Sequence, residues 1–415
     1  MTRAEKHLAI VTHRRLDEDR SGSKTYLRRM MSLALEAGCR LSILCLPATT
    51  FSSRPWGKIS DEFSRDAAIH WPGTWKLGET YWSLSPSVWS RFGWRLLQEG
   101  FRRTKLGPES WRTPRSNLGT IPPASEQASI IRKLKTLQPD AVLVEYSSLG
   151  PILEGVDKGI GKALLVHDSF AARAEHFRAE GLPPDYPATP SYAGEAERMS
   201  SADVIFHASV KELERFKQES PDQDHIWFRP TAPVLRDRMA ERPQAELLYI
   251  GANQKGSRDA ISHFIRDIWP AVVEAVPIAR LNIVGTIGNH IDPRLITDGI
   301  TVHGRVDNLS TFAGPDMIGL LPTRLMSGIS IKVGEYLGMG VPIVAYPAGI
   351  EGYGDALNGV VQTAATPDVF ANETIRLLMD SDQRRSTSAA GLYSAETVLQ
   401  NPDVIAALKK LVEPT

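Results

Sequence analysis

Net charge is missing from this sequence: 48 lysines and arginines are balanced by 48 aspartates and glutamates over 415 residues. With no global basic field there is nothing to draw the chain to a nucleic acid, and no such partner is expected. Long apolar runs are missing too. Nowhere do eighteen or more uncharged apolar residues follow one another, so no segment reads as a membrane-spanning helix. The opening MTRAEKHLAIVTH holds too few apolar residues for a signal peptide and reads as a first β-strand. Cysteine is scarce. Cys39 and Cys45 are the only two, in and beside one predicted strand. Their spacing fits no common metal site, so they read as buried free thiols in a reducing compartment. A cytoplasmic protein is expected, with peripheral contact at the inner face of the membrane as a further option. No DxD-type acid cluster stands at a strand end, so neither a metal nor another cofactor is expected. Repeats and low-complexity tracts are likewise absent.

What is present is a chain too long for one ordinary core, with the apolar and charged fractions of a globular protein. Short apolar runs alternate with amphipathic helical stretches. Leu8–Thr12, Arg40–Leu46, Ala141–Glu145, Lys162–His167 and Val204–Ala208 have the β-branched, uninterrupted character of buried parallel strands. Lys24–Ala37, Glu126–Leu137 and Glu195–Ser201 are predicted helices between them. The pattern restarts at Ala245, with strands at Leu247–Ile250, Leu281–Val284, Ile300–His303, Met317–Leu321 and Pro342–Ala345. A helix over Asp259–Ala275 puts Ile261, Phe264, Ile268 and Val272 on one face. Helices near Pro367–Met379 and Pro402–Val412 close the chain. The fold class is α/β, with two Rossmann-like doubly wound parallel-sheet domains facing a cleft. The expected division is 1–228, a proline- and charge-rich linker 229–244, a second domain 245–390, and a helical tail 391–415 packing back on the first domain.

Residues 81–117 break the pattern. Trp82, Trp89, Phe92, Trp94, Phe101 and Trp111 alternate with seven lysines and arginines, opposed only by Glu99 and Glu109. Such an insertion either lies on an anionic membrane surface or packs its tryptophans on the first domain while its arginines stay solvated. The sequence leaves both readings open.

Four constellations could carry chemistry. The first is PTRLMSGISIKVGEYLGMGVPIVAYPAGIEG, from Pro322 to Gly352. A loop of small residues (Gly328, Ile329, Ser330) opens a helix N-terminus, which offers free backbone N–H groups to an anion. Lys332 adds a cation, and Glu335, at i+3, an acceptor for sugar hydroxyls. The bland alternative is a surface Lys332–Glu335 pair worth about 0.2–0.5 kcal/mol. The second is Gly251-Ala-Asn-Gln-Lys-Gly256, between a strand and a helix, where Gly251, Asn253, Lys255 and Arg258 could approach phosphate. The third is His167-Asp168 at the carboxyl end of a strand, where a ligand crevice lies in open α/β sheets; a satisfied structural histidine is the alternative. The fourth is Arg14–Thr25, whose Ser21, Gly22 and Ser23 form a flexible loop able to meet a phosphate or an acceptor; its alternative is a charged surface loop with a serine cap.

In this order the constellations resemble the GT-B glycosyltransferases of the large retaining family 4. LLYIGANQKG, IRDIWPAVVEAVP, ARLNIVG, ITVHGRVDNL and the Pro322–Gly352 string carry the resemblance in the second half. VTHRRLDEDRSGSKTYL, PDAVLVEYSS, LLVHDSF and SSADVIFHAS carry it in the first. The resemblance implies that Glu335 is the second acid of an E-x7-E motif and holds the donor ribose. It implies diphosphate contacts from Lys332, Lys255 and the Gly328 backbone, with Glu351 and Gly352 closing the donor motif. It places His167 against the transferred sugar and Gly22 in the glycine loop facing donor phosphate and acceptor. Two positions depart: the first acid falls on Ser327, and the arginine that often follows the strand glycine is Ala252. Diphosphate neutralisation then rests on Lys255, Lys332 and Arg258.

The implied activity is transfer of a sugar, with retention, from a nucleotide-diphosphate sugar to an acceptor hydroxyl on a polysaccharide or lipid-linked glycan. His167, Lys332 and Glu335 are the expected catalytic residues. Two rivals stand beside it. A nucleotide-sugar epimerase would need an acid/base pair beyond His167, for which Glu145 and Asp168 are the unconvincing candidates. A non-catalytic glycan- or partner-binding protein would account for Ser327 and Ala252.

Overall fold

The computed structural model describes residues 5–17, 22–51, 54–104, 119–179, 190–238, 242, 244–324, 326 and 328–413, the side chains of 102–104 and 177 excepted. The chain forms two compact units. One holds Met1–Ala208, Glu212–Phe228 and Asn401–Thr415, and the other Ser209–Lys211 and Arg229–Gln400. The proline-rich stretch 229–244 therefore belongs to the second unit, and the chain returns to the first only at Asn401.

The first unit carries ten strands: β1 Lys6–Thr12, β2 Cys39–Cys45, β3 Trp56–Lys58, β4 Ala67–His70, β5 Thr74–Leu77, β6 Thr80–Ser83, β7 Ala141–Glu145, β8 Gly161–Val166, β9 Val204–His207 and β10 Asp224–Trp227. Seven make a sheet in the order β10-β9-β8-β7-β1-β2-β4, parallel throughout. β7 lies at its centre, with β1 beside it. The chain winds outward through β2 and β4, then returns to β7 and winds the other way. The switch point is thus between β1 and β7, where open α/β sheets bind ligands. Val142, Val144, Leu164, Val166 and Ile205 are wholly buried and share one core with Ile130, Leu149 and Phe216. Burial on both faces is why these strands read as unbroken apolar runs. The helix Pro402–Leu411 docks on this unit. A Cβ at Gly161 would come within 2.1 Å of the Leu411 carbonyl, so only glycine permits the approach.

The second unit holds β11 Glu246–Ile250, β12 Leu281–Val284, β13 Ile300–Gly304, β14 Met317–Leu321, β15 Ile343–Ala345 and β16 Gln362–Thr363. They form a parallel sheet ordered β13-β12-β11-β14-β15-β16. Its switch point lies between β11 and β14. The apolar face predicted on one helix is buried as expected, with Ile261, Phe264, Ile268 and Val272 all at 0% exposure. The helix itself is not continuous. It runs from Lys255 to His263, passes through a π turn at Phe264–Ile268, and resumes at Trp269–Ala275 with Pro270 in its first turn. The proline, which has no N–H to donate, accounts for the break.

The aromatic insertion is partly sheet. β3, β6 and β5 form an antiparallel sheet, followed by the helix Pro86–Thr104; residues 105–117 of the insertion lie outside the described residues. One side of that helix is anchored. Trp82 stacks on Trp89 at 6.4 Å, Trp56 meets Phe92 edge-on at 5.2 Å, and Trp89 Nε1 donates to the Ser83 carbonyl at 2.8 Å. Trp94, Leu96, Leu97 and Phe101 remain 44–57% exposed. Among the described residues no helix is long and apolar enough to cross a membrane.

Candidate functional site

Each unit gathers candidate residues at its own switch point. In the second unit the loop after β14 leads into the helix Ile331–Gly338. Gly328 sits in the left-handed region at φ +70°, and a Cβ on Gly352 would lie 2.6 Å from the Gly328 carbonyl. Tyr353 donates its hydroxyl to the Ser330 carbonyl at 2.7 Å. The turn containing Glu351 and Gly352 therefore pins the loop of Gly328, Ile329 and Ser330. Ser330 is the N-cap, yet its side chain makes no capping hydrogen bond, so the helix N-terminus keeps donors for an outside acceptor.

Lys332 and Glu335 follow in the first two turns. The bland reading of a surface ion pair is corrected: the two side chains sense each other's charge but make no salt bridge. Both are partly buried. Lys332 Nζ stands 4.9 Å from the centroid of the Tyr249 ring, a cation–π contact. Burial pulls its ammonium down to about 8, with Glu335 opposing. Burial pushes the Glu335 carboxyl above its usual range, with Lys332 opposing. A partly buried cation held in no salt bridge, beside uncapped N–H groups, is an arrangement that an anion would complete.

The neighbouring loop after β11 is built on Gly251. Asn253 N donates to Thr286 Oγ1 at 3.1 Å, and Arg258 Nη1 donates to Asn253 Oδ1 at 2.5 Å. Lys255 and Arg258 lie in the first turn of the helix Lys255–His263, another N-terminus without a side-chain cap. Arg324, which the sequence reading passed over, makes a two-pronged pair with Asp259 at 2.7 and 3.2 Å.

In the first unit the ends of β1, β7 and β8 converge. His167, directly after β8, lies with Nε2 2.7 Å from Oε1 of Glu145, the last residue of β7. Burial pushes the Glu145 carboxyl up. The hydrogen bond and charge of His167, aided by Thr12 and Arg14, more than offset this and hold it below its usual value. Tyr146 is the hub that sequence reasoning missed. Its ring lies 4.7 Å from His167 and 5.3 Å from His13, and the Arg14 guanidinium covers it at 4.8 Å. Its hydroxyl takes hydrogen bonds from Arg14 and Ser23. Its φ of +66° with ψ 146° is a conformation normally reserved for glycine, costing about 1–3 kcal/mol and typical of functional positions. Gly22 and Ser23, expected in a flexible loop, are instead the first residues of the helix Gly22–Glu36; Ser21 and Ser327 lie outside the described residues. His13 buries both ring nitrogens without a partner, and burial next to Arg14 lowers its pKa to about 4. Asp168 is engaged by Arg173 at 3.1 Å. Among the described residues no group of three His, Cys, Asp or Glu could hold a metal ion.

Comparison with known proteins fits this geometry. Residues 244–380 match the family of glycosyl transferases group 1. This match spans one third of the chain, within the second unit. The chain shares its fold across its whole length with solved GT-B structures. Sucrose-phosphate synthase from Thermosynechococcus elongatus aligns over 98% of both chains at 13% identity and a TM-score of 0.64. The E. coli trehalose-6-phosphate structure bound with UDP-2-fluoro glucose aligns over 99% of this chain and 100% of that one, at 12% identity and 0.60. WaaG, a glycosyltransferase involved in lipopolysaccharide biosynthesis, aligns over 98% of both, at 13% identity and 0.57. No curated protein matches the sequence.

Proposed function

We propose that this glycosyltransferase takes a nucleotide-diphosphate sugar as donor and transfers the sugar, with retention, to an acceptor hydroxyl of a polysaccharide or lipid-linked glycan. The observation that carries the reading is Lys332: partly buried, held in no salt bridge, and one residue inside an uncapped helix N-terminus. A diphosphate supplies the missing charge. The same groups stabilise it as it departs, when its negative charge grows, and this is the largest catalytic contribution the geometry supports. Lys255, Arg258, Asn253 and the backbone around Gly251 and Gly328 complete the phosphate contacts. Glu335 accepts from the donor ribose. In the first unit, His167 takes a hydroxyl of the transferred sugar, while Ser23 and Gly22 serve the acceptor side. The exposed apolar face of Pro86–Thr104 suits a lipid-linked acceptor presented at an anionic membrane surface.

Calorimetric titration with a panel of nucleotide sugars tests the reading. One donor should bind at a single site, and Lys332→Ala and Glu335→Ala should each weaken it. Ala252, which carries no charge where many relatives have an arginine, favours a second reading as a non-catalytic glycan-binding protein. That reading prevails if no donor binds and an acceptor glycan does.

A further inference from the structure

The two ring nitrogens of His167 face different surroundings. Nε2 meets Glu145 Oε1 at 2.7 Å, whereas Nδ1 has no partner among the described residues. Glu145 is wholly buried, and its second oxygen has no hydrogen bond. An ionised carboxylate can only accept, so Nε2 must carry the hydrogen. The imidazole is also held on its faces, with the Tyr146 ring at 4.7 Å and 32° and the Tyr26 ring edge-on at 5.6 Å. Parallel pairing fixes the approach, since Glu145 is in register with Leu165, two residues before His167.

We propose that Glu145 is a positioning residue: it holds His167 in the Nε2–H tautomer and so makes Nδ1 a fixed hydrogen-bond acceptor for a sugar hydroxyl. The identity of that hydroxyl's owner rests on the nucleotide-sugar reading above; the tautomer does not. An acceptor nitrogen selects a group with a proton to give. It recognises a hydroxyl and rejects a phosphate oxygen, so His167 belongs to the sugar and not to the diphosphate. The partnerless nitrogens of His13, on the other side of Tyr146, mark the same region as a polar ligand's. The glycine-like backbone of Tyr146 keeps its ring between the two histidines.

The test is long-range proton–nitrogen NMR on protein labelled at histidine nitrogen, with His167 identified by the signal lost in His167→Gln. The wild-type protein should show Nδ1 unprotonated and Nε2 protonated. In Glu145→Gln the amide can turn either way, so the Nδ1–H tautomer should appear. Transfer should slow by about tenfold or more in kcat, with the donor KM little changed. A wild-type Nδ1–H tautomer overturns the proposal even if Glu145→Gln does not fold, and so does an unchanged tautomer in the variant. Among donors each lacking one sugar hydroxyl, the one weakened on the wild type should be weakened no further on His167→Ala. Failure of every nucleotide sugar to bind would instead remove the donor reading and leave the tautomer result standing.

Discussion

Tyr353 donates its hydroxyl to the Ser330 carbonyl at 2.7 Å, across 23 residues of sequence, and so ties the turn of Glu351 and Gly352 to the loop that opens the helix of Lys332. The hydroxyl and its acceptor are buried. Removing it in Tyr353→Phe takes one of two donors from a buried carbonyl that Val333 N also reaches at 3.2 Å, at a cost of about 0.5–1.5 kcal/mol. Part of that cost should appear as weaker donor binding, because the loop must then be ordered by the ligand. Gly352→Ala is the harsher change, since its Cβ would lie 2.6 Å from a backbone oxygen with no flexible end to yield. Calorimetry should show a modest loss for the first variant and a larger one for the second. Equal affinities in all three proteins would mean that the loop is not part of the donor site.

The charge of Lys332 should set the alkaline limit of donor binding. Its ammonium is held near pKa 8 in the free protein, so the charged form that attracts a diphosphate prevails below that pH and is lost above it. Donor affinity should be level below about pH 7 and then fall, approaching tenfold per pH unit above 8 for a single linked proton. Lys332→Ala should be weaker at neutral pH by about 1.5–3 kcal/mol, the value of a charge-assisted contact, and should lack that limb. A wild-type limb that persists in the variant would assign it to another group.

The parallel sheets were legible because their strands are buried on both faces and show as short unbroken apolar runs; β7, β12 and β14 begin and end where the sequence places them. β3, β5 and β6 were not, being three- and four-residue strands in a partly exposed ribbon with little alternation to read. The start of the helix Ser381–Thr397, ahead of the expected tail at 391, was not read because its polar and small residues leave no clear apolar stripe. Lys332 and Glu335 were found through their spacing to nearby glycines. Tyr146 was not, because a tyrosine at positive φ leaves no mark in a sequence. Glu145 drew notice only as a weak candidate, since its partner is 22 residues away and the two meet only when β7 and β8 pair.

His13 makes the first unit sensitive to acid. In the unfolded chain a histidine takes a proton near pH 6.5, whereas the folded protein resists until about 4. Between those values the unfolded state binds more protons, so stability is whole above about 6.5 and falls as the pH drops toward 4. The full span is worth about 3 kcal/mol. His207, buried and also shifted down by desolvation, pulls in the same direction. His13→Phe removes two unpaired buried nitrogens and should stabilise the unit and flatten its acid slope. Hydrogen exchange of the β1 and β7 amides between pH 4 and 7 measures both effects. Parallel curves for the two proteins would show that His13 is not the group responsible.

The helix Pro86–Thr104 decides between a lipid surface and ordinary packing. Leu96 and Leu97 are both 57% exposed, whereas Trp94 and Phe101 have further contacts within the chain, so the two leucines are the cleaner probes. Changing both to serine should alter stability by no more than about 0.5 kcal/mol, as for other exposed positions. A leucine buried from water is worth about 1.5–3 kcal/mol. If the face enters a membrane interface, losing two should weaken sedimentation with anionic vesicles by well over tenfold at unchanged salt. The arginines that follow in sequence should make the wild-type binding weaken as salt rises. Vesicle binding that is absent in the wild type, or equal in both proteins, would return this helix to a packing role, and the anchored contacts of Trp89 and Phe92 would then be its whole purpose.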